Sequence, residues 1–356
     1  MPTSPCLKTS KKAGEKTIRL ARQLGLFNRS LKIEQENSSL YIPLSRQPVA
    51  SEREALQESI HAVEFCVHNF STESPQTTKT FADVLAEQLP PHLATSLPHA
   101  ADFIGDIAIL EIPPELEMHK RRIGETVLAT NKRVHTVLAK ASAIEGVYRT
   151  RKFELIAGTA KTVTVHREYG CIYHVDLSKA YFSPRLSSEH VRVARLVNEG
   201  EIVVDMFAGV GPFAIQIARQ REGVRVYAVD VNPDAIELLK TNIATNKVVA
   251  KVTPILGDIR QIAHERLAGV ADRVVMNLPE KAIEYVDVAC EAIKPVGGIV
   301  HYYEFTNASN PETTAEVRLI EAIEKANRGV EKVLLSKTVR ATAPYTWQIV
   351  VDAKIV

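Results

Sequence analysis

Apolar and polar positions in the C-terminal half of the chain follow a repeated strand–helix pattern. Short β-branched runs alternate with longer stretches of helical periodicity. The predicted strands end at Asp205, Asp230 and Asp258 or cover Arg273 to Met276, Gly298 to Phe305 and Tyr345 to Lys354, and predicted helices cover Pro233 to Asn246 and Ala282 to Ile293. This alternation predicts an α/β fold with a doubly wound, Rossmann-like, mostly parallel sheet and helices on both faces.

The residues before this series predict two smaller N-terminal α/β domains. Residues 1–70 contain a helical pattern at 13–26, a strand at 40–44 and a second helix at 52–61, and polar residues 71–80 predict a linker. Residues 81–159 contain a strand from Ile104 to Ile112 and a helix from Glu115 to Thr130. The C-terminal domain then covers residues 160–356 and opens with a strand pair at 162–165 and 171–175.

The most informative segment runs from Glu201 to Ala218. Its β-branched strand ends at Asp205, Gly209 and Gly211 form a turn, and Pro212 opens an apolar helix. Glycine lets the backbone approach a ligand closely, and proline suits the first helical position. The segment also fits the dinucleotide fingerprint G-x-G-x-x-G/A.

Three acids at strand ends favour S-adenosylmethionine over NAD as the ligand of this turn. Asp205 would repel a pyrophosphate but suits the cationic amino-acid moiety of the methyl donor. Asp230 is expected to accept hydrogen bonds from ribose hydroxyls, and Asp258 to face the adenine. The sequence therefore predicts a methyl-donor site at the carboxyl edge of the sheet.

Composition narrows the class of protein without identifying it. The chain has 356 residues, 45% of them hydrophobic and 24% charged, with a net charge of +2. The first 33 residues are basic, either as a phosphate-binding patch or as a solvated helix face. No apolar stretch predicts a membrane span, and neither the histidines nor the four separated cysteines have metal-ligand or redox spacing. We expect a cytoplasmic, monomeric protein with reduced thiols and no metal.

Two further segments contain candidate chemistry, and each also has an ordinary structural interpretation. Asn277 follows a predicted strand and precedes Leu278-Pro279, so it could hold an amide-like base edge or cap a turn. Glu189 could be a general base, or simply an acid in the first turn of a helix capped by Ser187 or Ser188.

The order of several motifs closely resembles that of the archaeal and eukaryotic tRNA guanine-37 N1-methyltransferases. The resemblance covers nearly the whole chain and rests on GVYRTRKFELIAG, YFSPRLSSEHVRVARLV, VVDMFAGVGPFAI, VYAVDVNPDAIELLKTNI, GDIR and MNLPEKAIEYV. It implies that Glu189 is the base, that Arg149 supports catalysis, that Asn277 orients the guanine and that Tyr181 lies beside the donor. It implies a cofactor site formed by His190, Asp205, Phe207, Gly209, Gly211, Asp230, Val231, Asp258, Ile259 and Asn277.

The resemblance also implies the substrate. Guanosine 37 lies beside the anticodon, so the base must leave its loop, and Arg133, Lys140 and Lys152 are expected to contact phosphates. The N-terminal domain is expected to touch the outer corner of tRNA through basic residues 8–32. The alternatives are aminocarboxypropyl transfer or imidazopurine methylation in wyosine biosynthesis, a non-catalytic tRNA-binding protein, and an NAD oxidoreductase.

Overall fold

The chain forms two compact units, Met1–Thr80 and Phe81–Val356. The structure, a computed structural model, describes residues 2–11, 13–28, 30–36, 39–60, 63–72, 80–87, 89–98, 101–343 and 345–356. Most of the predicted linker, together with Lys12, Arg29, His61 and Pro344, lies outside these residues. None of the described helices is both long and apolar enough to cross a bilayer.

The first unit is a four-stranded antiparallel sheet with two helices. Its elements are β1 (Thr3–Ser10), α1 (Gly14–Gln23), β2 (Glu34–Glu36), β3 (Ser39–Pro43), α2 (Ala50–Ser59) and β4 (Glu64–Asn69), and the strand order is β2-β3-β1-β4. Leu7, Ile42 and Leu56 form its core with other apolar side chains. The helices and β3 agree with the sequence prediction, whereas β1, β2 and β4 were not predicted.

Two cysteines that are far apart in the sequence lie next to each other in the fold. Cys6 on β1 and Cys66 on β4 are directly opposite each other, and their Sγ atoms are 2.9 Å apart. Both are free thiols. Strand pairing unites residues that are distant in sequence, which spacing along the chain does not reveal.

The second unit begins with a small mixed sheet. Its elements are α3 (Phe81–Ala86), α4 (Pro91–Ala94), β5 (Asp102–Ile104), β6 (Ile107–Leu110), α5 (Lys120–Thr130), β7 (Thr136–Lys140) and β8 (Phe153–Gly158), in the strand order β5-β6-β7-β8. The prediction of one strand from Ile104 to Ile112 is wrong because Gly105, at φ 57°, turns the chain. The predicted helix from Glu115 begins instead as a 3₁₀ turn, Pro114–His119.

The remainder of the second unit contains the predicted doubly wound sheet. Its elements are β9 (Val163–Glu168), β10 (Cys171–Asp176), α6 (Ser187–Leu196), β11 (Ile202–Asp205), α7 (Pro212–Gln220), β12 (Arg225–Asp230), α8 (Pro233–Thr245), β13 (Val252–Leu256), α9 (Ile259–Ile262), β14 (Arg273–Met276), α10 (Val286–Ala292), β15 (Gly298–Thr306), α11 (Pro311–Lys325), β16 (Val330–Ala343) and β17 (Thr346–Ile355). The strand order is β13-β12-β11-β14-β15-β17-β16. Strands β11 to β15 pair in parallel and β17 is antiparallel to both neighbours. The predicted fold is confirmed, although α11 and β16 were not predicted.

The continuous apolar run of β11 follows from burial on both faces of the sheet. Val203 packs on the side of α6, α7 and α8, and its neighbour Val204 packs on the side of α10 and α11. Both side chains are fully buried. Strands that are covered on both faces are hydrophobic without alternation, which is the pattern that the sequence has here.

The β9–β10 hairpin is attached to α8 by two side-chain amides. Asn242 accepts a hydrogen bond from the His174 backbone amide at 2.7 Å and donates to the carbonyls of His174 and Val210. Asn246 pairs in the same way with both backbone groups of Ile172. The two amides therefore replace a neighbouring strand at this edge of the hairpin.

We expect Asn242→Leu to lower the free energy of unfolding of the second unit by about 2–4 kcal/mol. The substitution leaves the buried Val210 carbonyl without a partner, at a cost of about 1–3 kcal/mol, and the partly buried amide and carbonyl of His174 add a smaller cost. Denaturant unfolding followed by circular dichroism measures the change. Thr241→Ala, at an exposed position of the same helix, is the control. An Asn242→Leu midpoint equal to that of the control would contradict the assigned role.

Candidate functional site

A cavity of about 270 Å³ lies at the carboxyl ends of β11, β12, β13 and β14. Loops 206–210, 230–232, 257–259 and 277–278 follow these strands and form much of its wall, and segments 146–149 and 181–183 complete it. Ligands of doubly wound sheets bind at this edge, where the strand order reverses beside β11. Ten predicted site residues line the cavity: Arg149, Tyr181, His190, Phe207, Gly209, Asp230, Val231, Asp258, Ile259 and Asn277. Glu189, Asp205 and Gly211 do not line it.

The two glycines of the turn after β11 differ in role. Gly209, at φ 54°, lines the cavity, and its amide donates to Asp230 Oδ2 at 2.7 Å. Gly211 has φ 93°, and a Cβ there would lie 2.3 Å from Leu239 Cδ1. Gly211 therefore serves the conformation and packing of the turn rather than direct ligand contact.

Asp230 and Asp258 present carboxylates to the cavity from neighbouring loops. The two oxygens of Asp230 accept from the amides of Gly209 and Asn232. Burial raises the pKa of Asp230, and these amides oppose the rise. Asp258 caps α9 by accepting from the Arg260 amide. Each carboxylate oxygen has two lone pairs, so Asp230 keeps acceptor capacity for a ligand hydroxyl.

Asn277 provides an acceptor without a protein partner. Its Oδ1 is buried in the cavity wall and has no hydrogen bond to any described residue. Buried polar atoms normally have partners, so this atom indicates a ligand-binding position. Between the two interpretations of Asn277, the orphan oxygen favours the ligand over the turn cap.

Arg149, Tyr181 and Glu280 form one cluster at the mouth of the cavity. The Arg149 backbone has φ 55°, and its guanidinium lies 5.2 Å from the centre of the Tyr181 ring. Arg149 Nη1 donates to Glu280 Oε2 at 2.6 Å. A non-glycine residue in the left-handed region is uncommon and is often found at functional sites. The sequence interpretation included Arg149 and Tyr181 but missed Glu280.

Glu189 lies in a buried ionic network. Its residue is 2% exposed, and its carboxylate accepts from Arg192 Nε at 2.8 Å and Tyr303 OH at 2.9 Å. The Lys337 ammonium pairs with the other oxygen at 2.8 Å. Burial favours the protonated form, but Lys337 and Arg192 outweigh it and hold the pKa of Glu189 below its ordinary value. The carboxylate is therefore ionised at neutral pH.

The predicted serine cap of the helix that contains Glu189 is wrong. Helix α6 begins at Ser187, its capping position is Leu186, and no side chain caps it. A 3₁₀ turn, Pro184–Leu186, leads directly into α6 and replaces the cap. Glu189 still lies in the first helical turn, where a negative charge is favourable.

His190 lines the cavity and is fixed from behind by Glu168. The His190 Nδ1 atom lies 2.6 Å from Glu168 Oε1, and the ring meets Phe213 edge to face. Burial opposes ionisation of Glu168, but His166 and His190 lower its pKa to about 2. A carboxylate on one ring nitrogen orients the imidazole, so the other nitrogen is available to a ligand.

Asp205 lies beneath the cavity rather than in its wall. The residue is fully buried at the end of β11. Burial and the nearby Asp230 charge raise its pKa from 3.8 to about 7. Asp205 thus lies beside the glycine turn without lining the cavity, and its contact with the amino-acid moiety of a methyl donor stays a prediction.

A second cavity of about 230 Å³ adjoins the first. The two cavities share a wall that is formed by Arg149, Tyr181, Phe182, Ser183 and Glu280. The second cavity has five cationic residues in its lining: Lys140, Arg149, Arg151, Arg185 and Arg340. Asp102 and Glu280 also line it, so cations outnumber acids there, although Lys140, Arg149 and Arg185 are already paired with carboxylates. No group of described His, Cys, Asp and Glu residues could hold a metal ion.

Three family models match successive parts of the chain. The TRM5/TYW2 methyltransferase domain matches residues 164–334, the TYW2 N-terminal domain matches 81–162, and the tRNA methyltransferase 5 N-terminal domain matches 6–52.

Individual relatives extend these matches over the full length. The chain is 39% identical to the tRNA (guanine(37)-N(1))-methyltransferase Trm5b of Pyrococcus abyssi, over 98% of each chain. It is 36% identical to the tRNA(Phe) (4-demethylwyosine(37)-C(7)) aminocarboxypropyltransferase of Methanocaldococcus jannaschii, over 70% of this chain and 96% of the relative. The solved complex of aTrm5 with tRNALeu is 32% identical, covers 99% of both chains and has a TM-score of 0.68.

We expect the stability of this protein to depend on pH through Asp205. Because its folded-state pKa lies near 7 and its ordinary value is 3.8, the folded state binds an extra proton between these values. The unfolding free energy therefore falls as pH rises from about 4 to 7, by up to about 4 kcal/mol. Asn carries no such proton, so Asp205→Asn should gain stability relative to the parent between pH 5 and pH 8.

Denaturant unfolding at the two pH values measures this gain. Glu321→Gln, which removes an exposed acid from α11, is the control and should show no relative gain. A stability difference between Asp205→Asn and the parent that is the same at pH 5 and pH 8 would exclude the raised pKa.

Proposed function

The chain belongs to the tRNA (guanine-37 N1)-methyltransferases, which transfer a methyl group from S-adenosylmethionine to N1 of guanosine 37, and we propose that it does so with Glu189 as general base and Arg149 as the group that stabilises developing charge. The observation that carries this proposal is the convergence of Arg149, Tyr181 and Asn277 on the cavity formed by the glycine turn and Asp230.

The first cavity fits the methyl donor on its own residues. Bound S-adenosylmethionine supplies a methyl group already activated by a sulfonium, so no metal is required. Asp230 accepts from its ribose, Asp258 and Ile259 lie at the adenine end, and His190 and Gly209 complete the site. The orphan Asn277 oxygen meets a donor group of the bound ligands. No phosphate-binding cation is needed in this cavity.

Glu189 takes the N1 proton of guanine as the methyl group is transferred. Guanine N1 is a poor nucleophile while protonated, and a carboxylate at this atom removes the proton in the transition state. Support comes from Tyr303, which donates to Glu189, and from Phe305, which lies two residues along β15 on the same face and lines the second cavity. Glu189 itself lines neither cavity, and Tyr303 connects it to the strand that reaches the second one. Lys337, at 39% side-chain exposure, is the partner that can most readily make way for substrate.

Arg149 stabilises the negative charge that develops on guanine O6. Its guanidinium is held by Tyr181 and Glu280 at the shared wall, so it is oriented before substrate arrives. A fixed donor of this kind contributes about 10²–10³ in rate. Because the second cavity has several cations, the flipped nucleotide enters from that side with its phosphates among Lys140, Arg151 and Arg185.

The protein binds tRNA as its substrate, and we propose contacts at the anticodon loop and, through basic residues of the first unit, at the outer corner. In the first unit Lys8 already pairs with Glu64 at 2.8 Å, so other cations must supply most of that surface. We also propose that the protein acts as a cytoplasmic monomer.

Aminocarboxypropyl transfer is the second candidate because a relative with that activity is 36% identical over 70% of this chain. Both reactions use the same donor but break different bonds to sulfur. Mass analysis of nucleosides from tRNA transcripts with G or A at position 37 separates them by product mass. It also reveals methylation of an imidazopurine when that precursor is supplied.

We expect Glu189→Gln to lower the single-turnover rate of methyl transfer by about 10²–10⁴, because a general base contributes about that factor. Donor affinity should change little, since Glu189 does not line the donor cavity. Rapid quench with tritiated donor measures the rate, and Glu199→Gln at an exposed position after α6 is the control. Transfer at the parental rate across the pH range would remove Glu189 from the mechanism.

We expect Asp230→Asn to weaken binding of S-adenosylhomocysteine by about 10–100-fold. The amide replaces one acceptor oxygen with a donor, and a charged hydrogen bond is worth about 1.5–3 kcal/mol. Calorimetric titration gives the affinity. The control, Asp234→Asn, removes an acid of the same loop region that pairs instead with Lys179. Unchanged affinity in Asp230→Asn would place the ribose elsewhere.

A further inference from the structure

Glu280 is the one residue of the shared cavity wall that presents a carboxylate beside Arg149. Its Oε2 accepts from Arg149 Nη1 at 2.6 Å, and no described residue hydrogen-bonds its Oε1. The side chain is 46% exposed. Glu280 follows Pro279 in the loop that also contains Asn277, the residue predicted to orient the guanine. The same short segment therefore connects both residues to the sheet. A free acceptor oxygen is thus held next to a fixed set of guanidinium donors.

The hydrogen-bond donor of Arg149 and the acceptor of Glu280 are complementary to the acceptor and the donor on the Watson–Crick edge of guanine. Guanine presents the O6 acceptor at one end of that edge and the 2-amino donor at the other, with N1 between them. Enzymes that act on flipped bases read this edge by hydrogen bonds. A donor from Arg149 and an acceptor from Glu280 complement its two ends.

We propose that Glu280 is a specificity-determining residue that accepts a hydrogen bond from the 2-amino group of guanine 37 while Arg149 donates to O6. The inference rests on the proposed position of Arg149 at O6. Glu280 leaves the N1 proton to Glu189. The same pair rejects adenine, which has an amino donor in place of O6 and no 2-amino group.

The ion pair also contributes to holding Arg149 in the shared wall. Arg149 has a left-handed backbone and a ring contact with Tyr181, and Glu280 balances its charge in a wall that has further cations nearby. Glu280 thus holds the guanidinium in place and uses its second oxygen for the base. Removal of Glu280 should therefore affect guanine more than a base without the 2-amino group.

The test compares guanosine 37 with inosine 37, which keeps O6 and N1 but lacks the 2-amino group. Single-turnover rates at subsaturating enzyme are measured for the parent, Glu280→Ala and Arg149→Ala on both transcripts. The parent should prefer guanosine by about 10–100-fold, the range expected for a hydrogen bond to a charged group. Glu280→Ala should lose this preference to within about 3-fold, mainly through a slower reaction on guanosine.

Arg149→Ala is the matched contrast because O6 is present in both bases. It should slow both transcripts by similar factors and keep the parental preference. Glu280→Gln retains an acceptor oxygen and should recover part of the preference. Glu284→Ala, at an exposed position of the following turn, should behave as the parent.

If Glu280→Ala slows methyl transfer to guanosine and to inosine by the same factor, Glu280 only supports the wall. That result leaves the parental preference for guanosine intact and overturns the proposal. This outcome is separate from failure of the proposed mechanism. An inactive parent, or a fully active Glu189→Gln, would reject that mechanism whatever the two-transcript comparison gives.

Discussion

The divergence of the loops that leave β11 and β14 is the constraint on which the site depends. The two strands are parallel neighbours, and the chain leaves β11 toward α7 and β12 on one side and β14 toward β15 on the other. A crevice must open where neighbouring connections turn in opposite directions. The hydrogen bond from Gly209 to Asp230 ties the two loops on the β12 side together, so the floor of the crevice has a fixed shape.

A buried network attaches helix α6, which contains Glu189, to the sheet behind this crevice. Arg192 of α6 donates to both Glu189 and Asp352, and Asp352 also pairs with the fully buried His301 at 2.6 Å. Arg273 continues the network by contacting His301 at 3.0 Å. Removal of one member of such a network leaves an uncompensated buried charge, which is strongly destabilising. The network thus fixes the position of α6 and keeps Glu189 ionised. The same contacts lower the pKa of Glu189 and so make it a weaker base.

Local patterns in the sequence predict the doubly wound sheet, the glycine turn and ten of the residues that line the first cavity, because strand ends, glycine turns and helix starts depend on nearby residues. They fail where pairing over long distances decides. Strand β16 is polar and half exposed, and it forms only because β17 pairs with it. The closeness of Cys6 and Cys66 depends on the antiparallel pairing of β1 with β4. Glu280 was missed because its significance comes from Arg149, a residue of a distant segment.

The environments of the two glutamates suit the different roles on guanine that we propose for them. Glu189 is surrounded by cations and ionised, so it can receive a proton only when one of its partners, most readily Lys337, shares or yields its contact. Glu280 is partly exposed and has one cationic partner, so it can accept a hydrogen bond without any such change. Enzymes can give two carboxylates different roles by placing them in different environments. On this reasoning entry of the base changes the contacts of Glu189 and leaves those of Glu280 intact, which couples proton removal to the arrival of the correct nucleotide.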